Sequence, residues 1–198
     1  MLNLDIHQLI CKYFYNLNDV IKIYNIDKNH QNYIHIINLY NISNIDNLTQ
    51  MAIEQPKFKY VKSLNVSFNE KVFDLNHMTN LKKLKCTGIC GINQNSINKL
   101  NNLTSINSSW NSKIINVNHM IKLEKLKCRG GSGINQTSII NLINLMKLDM
   151  AHNGKIISVN HMIKLKKLKC DYYHKINKNE IKNMKNVKIK YINDRGIE

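Results

Sequence analysis

A 42-residue period constrains this chain more than any other feature. His77, His119 and His161 fall 42 residues apart, and the segments that follow them keep one register. They read HMTNLKKLKCTGICGINQNSINKLNNL, HMIKLEKLKCRGGSGINQTSIINLINL and HMIKLKKLKCDYYHKINKNEIKNMKNV. Leu81, Leu123 and Leu165 correspond, as do Leu84, Leu126 and Leu168, then Cys86, Cys128 and Cys170. Ile92, Ile134 and Ile176 follow, then Ile97, Ile139 and Ile181. His35-Ile-Ile-Asn-Leu39 opens a degenerate copy another 42 residues upstream. A fixed period of this size means stacked units, each burying its apolar face on its neighbours.

Every period holds two shorter units. Leu81 to Leu103 is 22 residues and Leu103 to Leu123 is 20. Both open with L-x-x-[LI]-x-[CS], as in Leu81-x-x-Leu84-x-Cys86 and Leu103-x-x-Ile106-x-Ser108. Strand residues alternate between two faces. Leu84 and Cys86 are therefore expected inward, and Lys83, Lys85 and Thr87 outward. The remainder of each unit would return over the opposite side, burying Ile92, Ile97 and Leu100 or their equivalents. Ser96, Ser138 and Asn135 are placed to cap a short returning helix or turn. Gly88, Gly91, Gly130, Gly131 and Gly133 fall in the turn after the strand, where backbone freedom helps.

Units of 20–29 residues opening L-x-x-L-x-L resemble the leucine-rich repeat. The resemblance runs from residue 35 to residue 198, with Asn at the ninth position only in alternate units, as Asn69, Asn111 and Asn153. It implies an α/β solenoid: a curved parallel sheet with short returning helices or turns. The three asparagines would turn inward and satisfy backbone groups of the loop. Cys86, Cys128 and Cys170, two strands apart, are too distant to form disulfides with one another. They are read as small core residues in a ladder with Val66, Ser108 and Met150. Cys86-x-x-x-Cys90 is a weak metal signal, because later copies carry Ser132 and His174 in place of Cys90. His77, His119 and His161 are read as turn residues of the repeat, and no metal or other cofactor is expected.

Net charge is +16, and all of it lies beyond residue 60. The outward strand positions collect it: Lys83 and Lys85, then Lys125, Lys127 and Arg129, then Lys167 and Lys169. Intervening strands place Ser105, Asn107 and Ser109, then Lys147, Asp149 and Ala151, at those positions. Three basic rungs about 10 Å apart would form a concave face suited to an acidic protein partner. Nucleic acid is the weaker alternative, since these positions offer no aromatic side chain for base stacking. About one residue in six is Asn, a bias shared with Ile and Lys that follows from A/T-rich codons and is discounted accordingly. The chain has no phosphate-binding loop, zinc-protease motif, nucleophile elbow or dinucleotide fingerprint, and its carboxylates are scattered. A binding protein, not an enzyme, is expected.

Residues 1–34 leave the repeat. Ile6, Leu9, Ile10 and Tyr13 recur at helical spacing, as do Leu17, Val20, Ile21 and Tyr24. A small helical cap is expected. The segment also resembles the F-box, the module that docks on the Skp-type adaptor of cullin-RING ubiquitin ligases. That resemblance assigns Leu2, Leu4, Ile6, Ile10, Phe14, Leu17 and Val20 to adaptor and core contacts, although Asn3 stands where the family usually has Pro. The opening MLNLDIHQLICKYFY has no apolar signal core, and no membrane-spanning run occurs. A cytoplasmic protein is expected, with the nucleus as an alternative. The composition and tandem register are similar to leucine-rich-repeat proteins of amoebae and their giant viruses, which would place the chain in the host cytoplasm.

Overall fold

The computed structural model describes residues 38–39 and 47–192. The expected helical cap over residues 1–34, with its F-box-like positions, lies outside the described residues. Eight strands stack in chain order: β1 (Asn38–Leu39), β2 (Ser63–Asn65), β3 (Lys83–Lys85), β4 (Ser105–Asn107), β5 (Lys125–Lys127), β6 (Lys147–Asp149), β7 (Lys167–Asp171) and β8 (Lys188–Ile192). Every pairing is parallel. Lys83 pairs with Ser105, Ser105 with Lys125, Lys125 with Lys147 and Lys147 with Lys167, so the offset alternates between 22 and 20 residues.

The alternation of faces follows the pattern of the repeat. Leu64, Leu84, Ile106, Leu126, Leu148 and Leu168 are all at most 1% exposed and form one interior column. Val66, Cys86, Ser108, Cys128, Met150 and Cys170 form the next, each fully buried. The longer units close the back of the core with Ile92, Ile97 and Leu100, and with Ile134, Ile139 and Leu142. The shorter units use a different triplet: Val72, Leu75 and Met78, then Ile114, Val117 and Met120, then Ile156, Val159 and Met162.

The central returns are tighter than helices. In the longer units that open at Leu81 and Leu123 they are single 3₁₀ turns, Asn95–Ile97 and Thr137–Ile139. An α-helix with its side chains is about 10–12 Å wide, against roughly 4.8 Å per strand. A 3₁₀ turn keeps closer to that spacing. Each turn begins with a reciprocal exchange. Asn93 Oδ1 accepts from Ser96 N while Ser96 Oγ accepts from Asn93 N, at 3.3 and 3.0 Å. Asn135 and Ser138 repeat it at 3.1 and 2.7 Å. Among the described residues the α-helices are α1 (Gln50–Ile53), capped by Thr49, and α2 (Lys178–Asn183), capped by Asn177.

Candidate interaction face

The side of the sheet opposite the core presents in-register columns. The first is Ser63, Lys83, Ser105, Lys125, Lys147, Lys167 and Lys188. The second is Asn65, Lys85, Asn107, Lys127, Asp149, Lys169 and Lys190. The expected rungs about 10 Å apart describe the second column. In the first, Lys147 and Lys188 fill the gaps, so β5 to β8 carry four consecutive lysines about 4.8 Å apart. Lys83, Lys125, Lys127, Lys147, Lys167 and Lys188 are exposed, while Lys85, Lys169 and Lys190 are half-buried. The face is hollowed over β4 to β7 into a concavity of about 170 Å³. Lys125, Lys127, Lys147, Lys167, Lys169 and Asp149 line it.

The third column differs from expectation. Thr87 is covered, at 9% exposure, between Ser67 and Ser109 of the flanking units, and its amide donates to Ser67 Oγ at 3.1 Å. Arg129 donates through Nε and Nη2 to the two carboxylate oxygens of Asp149, both at 2.7 Å. This bidentate pair spans β5 and β6 with the Asp149 side chain only 7% exposed. Asp149 offsets the charge of Arg129, so the basic surface rests on the lysines.

The predicted ladder asparagines and cysteines sit inside the solenoid. Asn111 Nδ2 donates to the carbonyls of Cys86 and Ile92 at 3.2 and 3.0 Å, and Oδ1 accepts from Lys113 N at 3.0 Å. Asn153 repeats this with Cys128, Ile134 and Lys155 at 2.9, 3.1 and 3.1 Å. Asn69 bonds Leu48 O and accepts from Lys71 N and Val72 N. All three asparagines are at most 2% exposed. Nε2 of His77, His119 and His161 lies 2.9, 3.2 and 2.9 Å from the carbonyls of Ile53, Ile97 and Ile139. A carbonyl can only accept, so Nε2 carries the proton in each ring. Burial pushes the thiols of Cys128 and Cys170 up to about 12, and raises those of Cys86 and Cys90 as well. Protonated and enclosed, they are packing groups and not nucleophiles.

Two sets of residues escaped sequence reading. The first is a glutamine ladder. Oε1 of Gln94 accepts from Ile115 N and Asn116 N, and Oε1 of Gln136 accepts from Ile157 N and Ser158 N, at 2.8 to 3.1 Å. Gln50 does the same for Phe73 and Asp74.

The second is a row of aromatic rings on the rim of the basic face, one residue beyond the third column. Phe68, Trp110 and His152 adopt φ of 60°, 61° and 60°. The left-handed region costs a side-chain-bearing residue about 1–2 kcal/mol. At the equivalent place in the intervening units stand Gly88 and Gly130, with φ of 67° and 58°. The Phe68 and Trp110 rings each lie across the glycine of the next unit. A Cβ on Gly88 would meet Phe68 Cε1 at 2.2 Å, and one on Gly130 would meet three Trp110 ring atoms at 2.5 Å. The rings nevertheless remain 69% and 61% exposed. Tyr172 stands at the position held by Gly88 and Gly130 and stacks on Tyr191 of β8, with centroids 5.1 Å apart. The signal was available in the spacing: 68, 110 and 152 are one period apart, each just before a ladder asparagine.

Among the described residues no cluster of His, Cys, Asp or Glu is arranged for a metal, and no helix is long and apolar enough to cross a membrane. No family model matches the sequence, and neither does any curated protein. Solved structures do. An internalin of Listeria monocytogenes aligns with a TM-score of 0.56 at 21% identity, over 80% of this chain and 47% of that one. A leucine-rich-repeat protein of Leptospira interrogans aligns with a TM-score of 0.51 at 19% identity, over 70% and 39%. The chain spans less than half the length of either. At such identities the likeness speaks for architecture alone, and with the register of eight parallel strands it establishes a leucine-rich-repeat solenoid.

Proposed function

We propose that this chain is a protein-interaction module, not an enzyme, and that its lysine face holds an acidic partner. One observation carries the reading: four consecutive strands place Lys125, Lys147, Lys167 and Lys188 in a single column beside a shallow hollow. Like charges at strand spacing repel one another. An acidic partner would relieve that repulsion and be steered in by the same field. A solenoid of this kind offers extended surface, which suits binding better than catalysis.

A finer version makes the chain a substrate adaptor, with residues 1–34 docking a Skp-type subunit and the lysine face holding the substrate. It rests on the F-box resemblance of that segment. The exposed aromatic row favours a second reading, single-stranded nucleic acid, because rings beside lysines are what such binders use.

Capture from amoebal lysate by the full chain tests the proposal at low and high salt. The charge-reversed face Lys125→Glu/Lys147→Glu/Lys167→Glu is compared with a control reversing Lys99, Lys122 and Lys164, which lie off the sheet. Salt-sensitive acidic proteins should be retained by the control and lost by the reversed face. Equal capture by both would remove the lysine face as the site. Recovery of a Skp-type adaptor with a cullin would add the ligase link; its absence would leave a stand-alone binder.

A further inference from the structure

The two rows on this face share one period and are offset by one strand. Lys85, Lys127 and Lys169 stand on alternate strands of the second column. Phe68, Trp110 and His152 stand on the strands between, three residues further along the chain. Each row therefore repeats every two strands, about 9.6 Å. A ligand lying across the strands would meet a cation and a flat ring once in every such interval.

Few polymers match that interval. A β-strand repeats a face every two residues, about 6.6–6.8 Å, and falls out of step. An α-helix has a 5.4 Å pitch and also drifts. Stacked nucleotides rise about 3.4 Å, so only one base in three would meet a ring, whereas single-strand binders stack successive bases on aromatics. A polyproline II helix has three residues per turn and rises about 3.1 Å per residue, giving about 9.3 Å per turn. Its residues i, i+3 and i+6 lie on one side, in step with the lysines. Its neighbouring side is in step with the rings, and aromatic-lined grooves are a common means of holding such helices.

We propose that the lysine column and the aromatic row form one binding track for an extended acidic segment in the polyproline II conformation, with a carboxylate at every third residue over the lysines and prolines against the rings. This rests on the reading of the lysine face as the site for an acidic partner, and adds the partner's conformation and periodicity. The backbone at the rim supports it. Phe68 and Trp110 hold a left-handed conformation that glycine fills in alternate units, and they do so with most of each ring in solvent. Strained positions of this kind gather at binding sites. Gly88 and Gly130 fit the same design, because any side chain there would lift the ring out of the track.

The test uses the full chain and labelled peptides read by fluorescence anisotropy. A (Glu-Pro-Pro)₄ peptide is compared with a scramble of the same composition whose glutamates are clustered, with a Glu-Pro alternating peptide, and with an oligo-dT strand. The three-residue repeat should bind at least tenfold more tightly than the scramble and the alternating peptide. Trp110→Gly, which puts at this position the residue its neighbouring units carry, should remove about tenfold of that affinity with the fold intact by circular dichroism. Lys127→Ala should weaken it several-fold. If the scramble binds as well as the repeat, or Trp110→Gly leaves affinity unchanged, the track is overturned while the acidic-partner reading stands. If no acidic peptide binds at all, both fall. Tighter binding of oligo-dT overturns the track in favour of nucleic acid.

Discussion

Among the described residues of the interior ladder, Ser108 is the one place where chemistry and environment disagree. Its neighbours in the ladder are Cys86 and Cys128, and its counterparts in like units are Val66 and Met150. Its hydroxyl is buried with no hydrogen-bond partner. An unpaired buried hydroxyl costs about 1–3 kcal/mol. Ser108→Ala is therefore expected to raise stability by about 1 kcal/mol in urea unfolding, the small lost volume offsetting part of the gain. A loss of stability would mean that the hydroxyl has a partner. The asparagines show the opposite case. Their abundance reads in the sequence as codon bias, yet many hold repeat positions with defined bonds. Nδ2 of Asn80, Asn102 and Asn144 donates to the carbonyls of Lys59, Thr79 and Ile121. Asn76 and Asn118 each bridge two backbone groups of the following unit. A side chain with a donor nitrogen and an acceptor oxygen at short reach can serve an amide and a carbonyl together. Composition alone cannot separate such residues from neutral ones; position within the period can.

The repeating element is a pair of unequal units, and the inequality explains what the sequence does and does not disclose. The leucines, the ladder cysteines and the 22/20 alternation are legible because burial forces apolar residues into fixed register. The basic rungs are legible because alternation of faces follows from the strand itself. The form of the returns is less so. Asn95–Ile97 and Thr137–Ile139 carry cap residues that suit a helix or a 3₁₀ turn equally, and the strand spacing of the stack favours the narrower form. The aromatic row stayed hidden for another reason: a left-handed backbone at Trp110 breaks the inside–outside alternation on which a strand reading depends. Gly130→Ala tests the coupling of the paired units directly. The new methyl would enter the Trp110 ring at a residue already at φ 58°. A loss of about 1–3 kcal/mol is expected from strain and displacement together. Trp110 is the sole tryptophan of the chain, so its emission should shift in the folded state. An unchanged spectrum and midpoint would show that the ring does not depend on the glycine. Gly131, where a Cβ would meet Trp110 Cε3 at an ordinary 3.7 Å, is the control position.

At the scale of the whole molecule, the charge that would serve binding opposes stability. A net charge of +16 on 198 residues opposes compaction, and the first column concentrates that opposition on one face. Lys147 pairs in register with Lys125 on one side and Lys167 on the other, with all three exposed. Like charges directly opposite in a sheet destabilise by a few tenths of a kcal/mol to about 1 kcal/mol per pair. Lys147→Glu converts two repulsions into two attractions. The melting temperature should rise by about 1–4 °C at low salt, and the gain should fade as the Debye length shortens to about 3 Å near 1 M salt. The same substitution places an anion in the middle of the basic hollow and should weaken capture of acidic partners. A variant that is more stable and binds less would mean that the lysines are kept for binding at the expense of stability. A variant that gains stability while binding persists would assign the column to composition, leaving recognition to Lys85, Lys127 and Lys169 and the aromatic rim. Salt dependence separates the two cases, because a column kept for binding should lose affinity with salt over the range in which the free chain gains stability.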